Sequence, residues 1–168
     1  MSTARQIRSY DYVNHPYDRV RDVLKQNAVG VFQSATKAAT ERAESVAAEL
    51  HVDVAGLGVK ADVHIVVKGI EEKPADDISS ASTKLLLEWE ATTLPRLFPL
   101  MHGELSVYPL TTTETQLDFC GTYQPPFGAV GKTMNAIVLH RIAEASVHRF
   151  VNDVAGYLRG TLAGQRQL

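Results

Sequence analysis

The spacing of apolar side chains changes several times along the chain, and each change marks an element. Ile7 to Val13 has strand composition, with Tyr10, Tyr12 and Val13 in a short run. Apolar residues fall on both of its faces, so its inward parity stays open. His15-Pro16 ends the run. Pro16 suits the first turn of a helix, where its missing N–H has no intrahelical partner, with Asn14 or His15 as cap and Asp18 at the positive end. Val20, Val23 and Leu24 form one stripe, against Arg19, Arg21, Asp22 and Lys25 on the wet side. Asn27 and Gly30 break the pattern, and Ser34 can cap a second helix reaching about Leu50. The inner face of that helix is Ala35, Ala39, Ala43, Val46, Ala47 and Leu50. Alanine favours helix but offers little apolar area, so a close neighbour and modest burial are expected.

The period then becomes two. Val59, Ala61, Val63, Ile65 and Val67 alternate with Lys60, Asp62, His64 and Lys68, a strand with one wet face after a turn at Gly56 and Gly58. A loop at Pro74-Ala75-Asp76-Asp77 leads to a strand from about Ser79 to Thr92. Leu85, Leu87, Trp89 and Ala91 share its inner face. Pro95 and Pro99 enclose room for no more than a helical turn. Leu105 and Val107 open an antiparallel pair that turns at Thr111 to Glu114, and the return strand sets Leu117, Phe119, Gly121 and Tyr123 on one side. Gln116, Asp118, Cys120 and Thr122 lie on the other, and Pro125-Pro126 stops it. The last helix runs from about Gly128 to Arg159, with Ala136, Leu139, Ala143, Val147, Phe150, Val151, Val154 and Leu158 on one face. Arg141, His148, Asn152 and Arg159 face the other way. The residues from about 161 to 168 read as a frayed tail. There is no repeat or linker, so one domain is expected.

This order of elements is α+β: a strand, two helices, a run of mostly antiparallel strands, and a long C-terminal helix. A curved antiparallel sheet wrapped around that helix buries every one-sided strand, and strong curvature leaves a cavity between them. The stretches "LLLEWEA", "FPLMHGELSVYPL", "TQLDFCGTYQPPFGAVG" and "HRIAEASVHRFVNDVAGYL", with the opening strand, Pro16 and its helix, resemble the START-like, Bet v 1-like superfamily. This is also called SRPBCC, the polyketide cyclase/dehydrase and lipid-transport group. The resemblance covers nearly the whole chain and implies a helix-grip fold. It also implies a hydrophobic-ligand carrier, a cyclase, a hydroxylase subunit or a chaperone partner, and fold alone does not choose among these.

Charge narrows the partners. With 17 Lys plus Arg against 19 Asp plus Glu, the formal net charge is −2 and neither sign is blocked. A nucleic-acid binder needs a basic face, and membrane-surface binding loses its electrostatic attraction. No stretch supplies the roughly 18 unbroken apolar residues of a membrane span. The single cysteine, Cys120, has no internal partner, which suggests a reducing, cytoplasmic setting.

The candidate chemistry is sparse. Gly131-Lys132-Thr133 suggests a phosphate loop, but that motif needs glycine where Pro126 stands, and proline offers no backbone donor. Otherwise Gly128 and Gly131 simply let the chain turn into its helix. His140, Glu144 and His148 are spaced by four, yet each step rotates about 40°, so one metal ion cannot collect all three. His140 alone lies at the edge of the apolar face between Ala136 and Ala143. It could donate to a ligand carbonyl or act as general acid or base, or it could be a boundary histidine satisfied by backbone. Trp89, Phe119 and Tyr123 have inward parity and could stack on a flat ligand, with the Tyr123 hydroxyl as polar handle, or simply pack the core. Met134 and Phe127 could gate the cavity or staple a loop.

The expected function is binding of a mainly hydrophobic small molecule or lipid by Trp89, Phe119, Tyr123, Met134, Ala136, His140 and Ala143. No cofactor or metal is called for. The alternatives are a cyclase or aromatase using His140 or Tyr123 as proton shuttle, and an interaction module with a filled core. Whether the chain forms a homodimer is left open.

Overall fold

A computed structural model describes residues 4–49, 63–91, 100–124 and 136–165. The elements are β1 (Arg5–Val13), α1 (Tyr17–Glu49), β2 (Val63–Lys73), β3 (Ser82–Ala91), β4 (Met101–Pro109), β5 (Thr115–Tyr123) and α2 (Ala136–Gly164). The strands form one antiparallel sheet in the order β1-β5-β4-β3-β2. Both helices cover its inner face. The architecture is the α+β arrangement expected from the sequence, a long C-terminal helix against an antiparallel sheet.

The sheet register sorts the inner residues into rows. One row at the sheet end runs Ile65, Trp89, Met101, Tyr123 and Arg5. The next is Val67, Leu87, Gly103, Gly121 and Ile7, and the third contains Leu85, Leu105, Phe119 and Ser9. The parity left open for β1 is thereby settled. Ile7, Ser9 and Val13 point inward, while Tyr10 and Tyr12 are exposed because the even-numbered residues pair with the outer positions of β5. A bulge between Val67 and Gly69 shifts the parity of β2 and sets Ile70 opposite the buried Leu85, where, on this edge strand, it stays partly exposed.

Several boundaries differ from expectation. The helix after β1 starts at Tyr17, and Pro16 rather than Asn14 or His15 stands at the cap position, its carbonyl accepting from the N–H groups of Arg19 and Val20 at 3.1 and 3.2 Å. The His15 carbonyl accepts from the Thr115 hydroxyl instead, at 2.7 Å. The expected gap between two helices shrinks to one residue, Asn27 (φ −147°, ψ 43°), after which the helix resumes at once. Ser34 is therefore no cap but lies inside the helix, its hydroxyl donating to the Gly30 carbonyl at 3.2 Å. β3 begins at Ser82, later than expected, because Asp76 folds the preceding loop by accepting from the N–H groups of Ile78 and Ser79 at 2.9 and 2.7 Å. The last helix does not end at Arg159. It runs to Gly164, held by the fully buried Leu162, so 161–165 is not a frayed tail.

α2 packs along α1 and edge strand β1, and the two helices run antiparallel, with Arg19 near Gln165 at one end and Phe32 against Phe150 further along. The alanines of α1 are buried as expected: Ala35, Ala39 and Ala43 are almost wholly covered. Toward the sheet centre α2 reaches across with large side chains. Phe150 meets Phe32, Trp89 and Phe119 at centroid distances of 5.7, 5.0 and 5.5 Å. Phe119 fits because its ring lies over the cross-strand pair Gly103 and Gly121, where any Cβ would collide with it.

Candidate functional site

Three inward side chains proposed from the sequence, Trp89, Tyr123 and Phe119, come together on the sheet, and two proposed from the helix, His140 and Ala143, face the same interior. Trp89 and Tyr123 share the end row, separated by Met101. Phe119 stands two rows away but leans back, so that its ring stacks on Trp89 at 5.8 Å and 10°. Trp89 and Phe119 are thus packed against each other and Phe150, and both are buried.

Tyr123 ends β5 where α2 starts. It is 2% exposed, and its ring is nearly parallel to that of His140, with centroids 6.2 Å apart. The Tyr123 hydroxyl lies 3.0 Å from His140 Nδ1, so it donates to an unprotonated Nδ1 and accepts from a protonated one. Burial pushes the Tyr123 hydroxyl above its usual pKa; nearby Arg5 opposes this and Glu144 adds to it. The hydroxyl therefore keeps its proton across ordinary pH. Ala143, also buried, follows three residues after His140 on α2. Ala136 is the first residue of α2. Met134, Phe127 and the Gly131-Lys132-Thr133 turn lie outside the described residues.

Two α2 residues expected only to face water make contacts across to β1. His148 is exposed, yet its Nδ1 lies 2.7 Å from the hydroxyl of the buried Ser9. Arg159 reaches Asp11 at 2.9 Å and the Tyr12 carbonyl at 2.5 Å, with its guanidinium over the Tyr12 ring. Helical projection gave the right side of α2 for both residues, but a strand edge passes there and captures them. Ser9, an inward hydroxyl in an apolar row, was missed because β1 has no clear alternation to reveal it.

Elsewhere, the described residues include no group of three or more His, Cys, Asp or Glu able to hold a metal ion. Among them no helix is long and apolar enough to cross a membrane. The free thiol of Cys120 accepts from Gln6 Nε2 at 3.0 Å on the outer face. An open groove of about 410 Å³ on that face is lined by Arg8, Tyr10, Tyr108, Gln116 and Asp118, and Asp118 is gripped by Arg8 at 3.0 and 2.6 Å.

No family model matches the sequence, and no curated protein matches it significantly. Solved structures do. The Zhui aromatase/cyclase from Streptomyces sp. R1128 aligns with a TM-score of 0.52 at 17% identity, over 95% of this chain and 96% of its own. The protein TTHA0849 from Thermus thermophilus aligns with a TM-score of 0.51 at 10% identity, over 94% of this chain and 99% of its own. Both alignments run essentially end to end. This chain has the Bet v 1-like helix-grip fold. In the helix-grip arrangement seen here, the Tyr123–His140 pair stands where the last helix meets the end of the sheet, with Trp89 further along the same row.

Proposed function

We propose that this protein binds a mainly apolar small molecule between the inner sheet face and α2, at the end where Tyr123 meets His140. The observation that carries the reading is this hydrogen-bonded pair beside the apolar Ile65, Trp89 and Met101 of the same row, with Arg5 closing the row beyond Tyr123. Apolar walls with a few convergent polar groups are what a small-molecule site needs. Covering the ligand supplies about 25 cal/mol per Å² of apolar area before ordering costs. In this reading the small, buried Ala143 stands one helical turn from His140, and Trp89 and Phe119 form the wall. The helix-grip likeness to an aromatase/cyclase agrees with a fold that accommodates such guests.

Native mass spectrometry before and after organic extraction tests this. The expected result is a non-covalent apolar adduct lost on extraction, or uptake of an added apolar fluorophore by extracted protein. Uptake should weaken in His140→Ala and Tyr123→Phe; unchanged affinity in both would remove these residues from the site. A protein that takes up nothing would be an interaction module with a filled core.

A cyclase-type reaction in the same place is the second reading, favoured by the 3.0 Å Tyr123–His140 contact, which lets the hydroxyl lend and recover a proton. It requires turnover that both substitutions depress while folding stays intact.

A further inference from the structure

We infer that the molecule bound beside Tyr123 and His140 carries a neutral carbonyl oxygen, and that Trp89 Nε1–H donates to it. This rests on the pocket proposed above. Trp89 is 2% exposed, and its Nε1 is buried with no hydrogen-bond partner among the described residues. The indole N–H is a donor only, and buried donors in folded proteins are almost always satisfied. Its row neighbours Ile65 and Met101 are apolar, and the rings stacked on and edged against it belong to Phe119 and Phe150. A phenyl ring could fill much of that space without leaving a donor unmet. The indole is explained when the missing acceptor arrives with the ligand.

The same surroundings define the acceptor. Arg5, the cation of this row, stands beyond Tyr123 and three strands from Trp89, and Ile65 and Met101 beside the indole are uncharged, so a carboxylate at Nε1 would be buried without a counter-charge. A ketone, ester or amide oxygen has no such cost. Met101 separates Trp89 from Tyr123 in the row, and its thioether is the flexible side chain between them. Trp89 and Tyr123 are two strand spacings apart, about 10 Å, so one modest molecule reaches both.

Trp89 is the chain's single tryptophan, which makes its indole proton one resolved signal in a ¹⁵N-labelled sample. Fluorene and 9-fluorenone are matched probes that differ by one carbonyl. Extracted wild-type protein is expected to bind fluorenone about 5- to 10-fold more tightly than fluorene. The indole proton should move downfield with fluorenone and not with fluorene. Trp89→Phe should bind both compounds with equal affinity. Equal affinities in the wild type, or a fluorenone preference that survives Trp89→Phe, would overturn the inference and leave the pocket standing. An indole proton shifted far upfield in the free protein and unmoved by fluorenone would also overturn it, because the face of Phe150 would then be the acceptor. Failure of either compound to bind would remove the pocket and the inference together. The wild-type titration decides the matter even where Trp89→Phe does not fold.

Discussion

Gly103→Ala tests how the interior is filled. A Cβ built on Gly103 lies 2.5 Å from Phe119 Cζ and 2.7 Å from Cε2. Carbon atoms in contact prefer about 3.5–4.0 Å, so the ring must retreat by about 1 Å. It has nowhere to go. Phe119 is fully buried, stacked on Trp89 at 5.8 Å and edged by Phe150 at 5.5 Å, and moving it pushes both. Overpacking of this kind costs about 1–3 kcal/mol, while alanine in a strand recovers about 0.5–1 kcal/mol of glycine's entropy. The expected net loss is about 1–2 kcal/mol. In urea, with a slope of about 2 kcal/mol/M for a small domain, the midpoint falls by about 0.5–1 M.

Two partner measurements isolate the cause. Gly156→Ala, at an exposed helical position with no heavy atom within 4 Å of the new Cβ, should raise the midpoint. Gly103→Ala combined with Phe119→Leu should cost less than the two single changes added together, since the smaller side chain vacates the collision volume. A Gly103→Ala midpoint equal to or above wild type would refute the claim that Phe119 is pinned over the glycine pair, and with it the account of how α2 spans the sheet.

Phe150→Ala removes the ring that touches Phe32, Trp89 and Phe119 and should cost about 3–5 kcal/mol, read from the same urea curves alongside a change in fluorescence of the single tryptophan. Arg159→Ala loses the Asp11 pair and the Tyr12 carbonyl bond; with the side chain partly exposed, a loss of about 1 kcal/mol and faster amide exchange along β1 are expected. Arg159→Lys should not restore it, lacking the fork that reaches both groups. Tyr123 has a raised folded pKa, so its contribution is intact below the unfolded value near 10 and is lost as pH climbs past it. Wild-type urea midpoints should therefore fall more steeply above pH 10 than those of Tyr123→Phe, and parallel profiles would show the hydroxyl to be freely ionisable.

The strands β2 to β5 were legible from residue order alone because each has one wet face, and period-two alternation records that directly. Leu85, Leu87 and Trp89 on β3, and Leu117, Phe119 and Tyr123 on β5, all point inward as their parity required. The long apolar face of α2 was legible for the same reason at period 3.6. Tertiary structure decided what sequence spacing does not encode. Whether β1 buried its odd or even residues depended on its pairing with β5, since both sets carry apolar groups. The end of α2 depended on Leu162 finding a buried place, which no local signal announces. Most of all, Tyr123 and His140 were separate candidates until the register of β5 and the path of α2 brought a hydroxyl within 3.0 Å of an imidazole. Local patterns report which side of an element avoids water. Which side chains then meet is set by contacts between elements far apart in the chain, whose geometry exists only once the sheet and helices have packed.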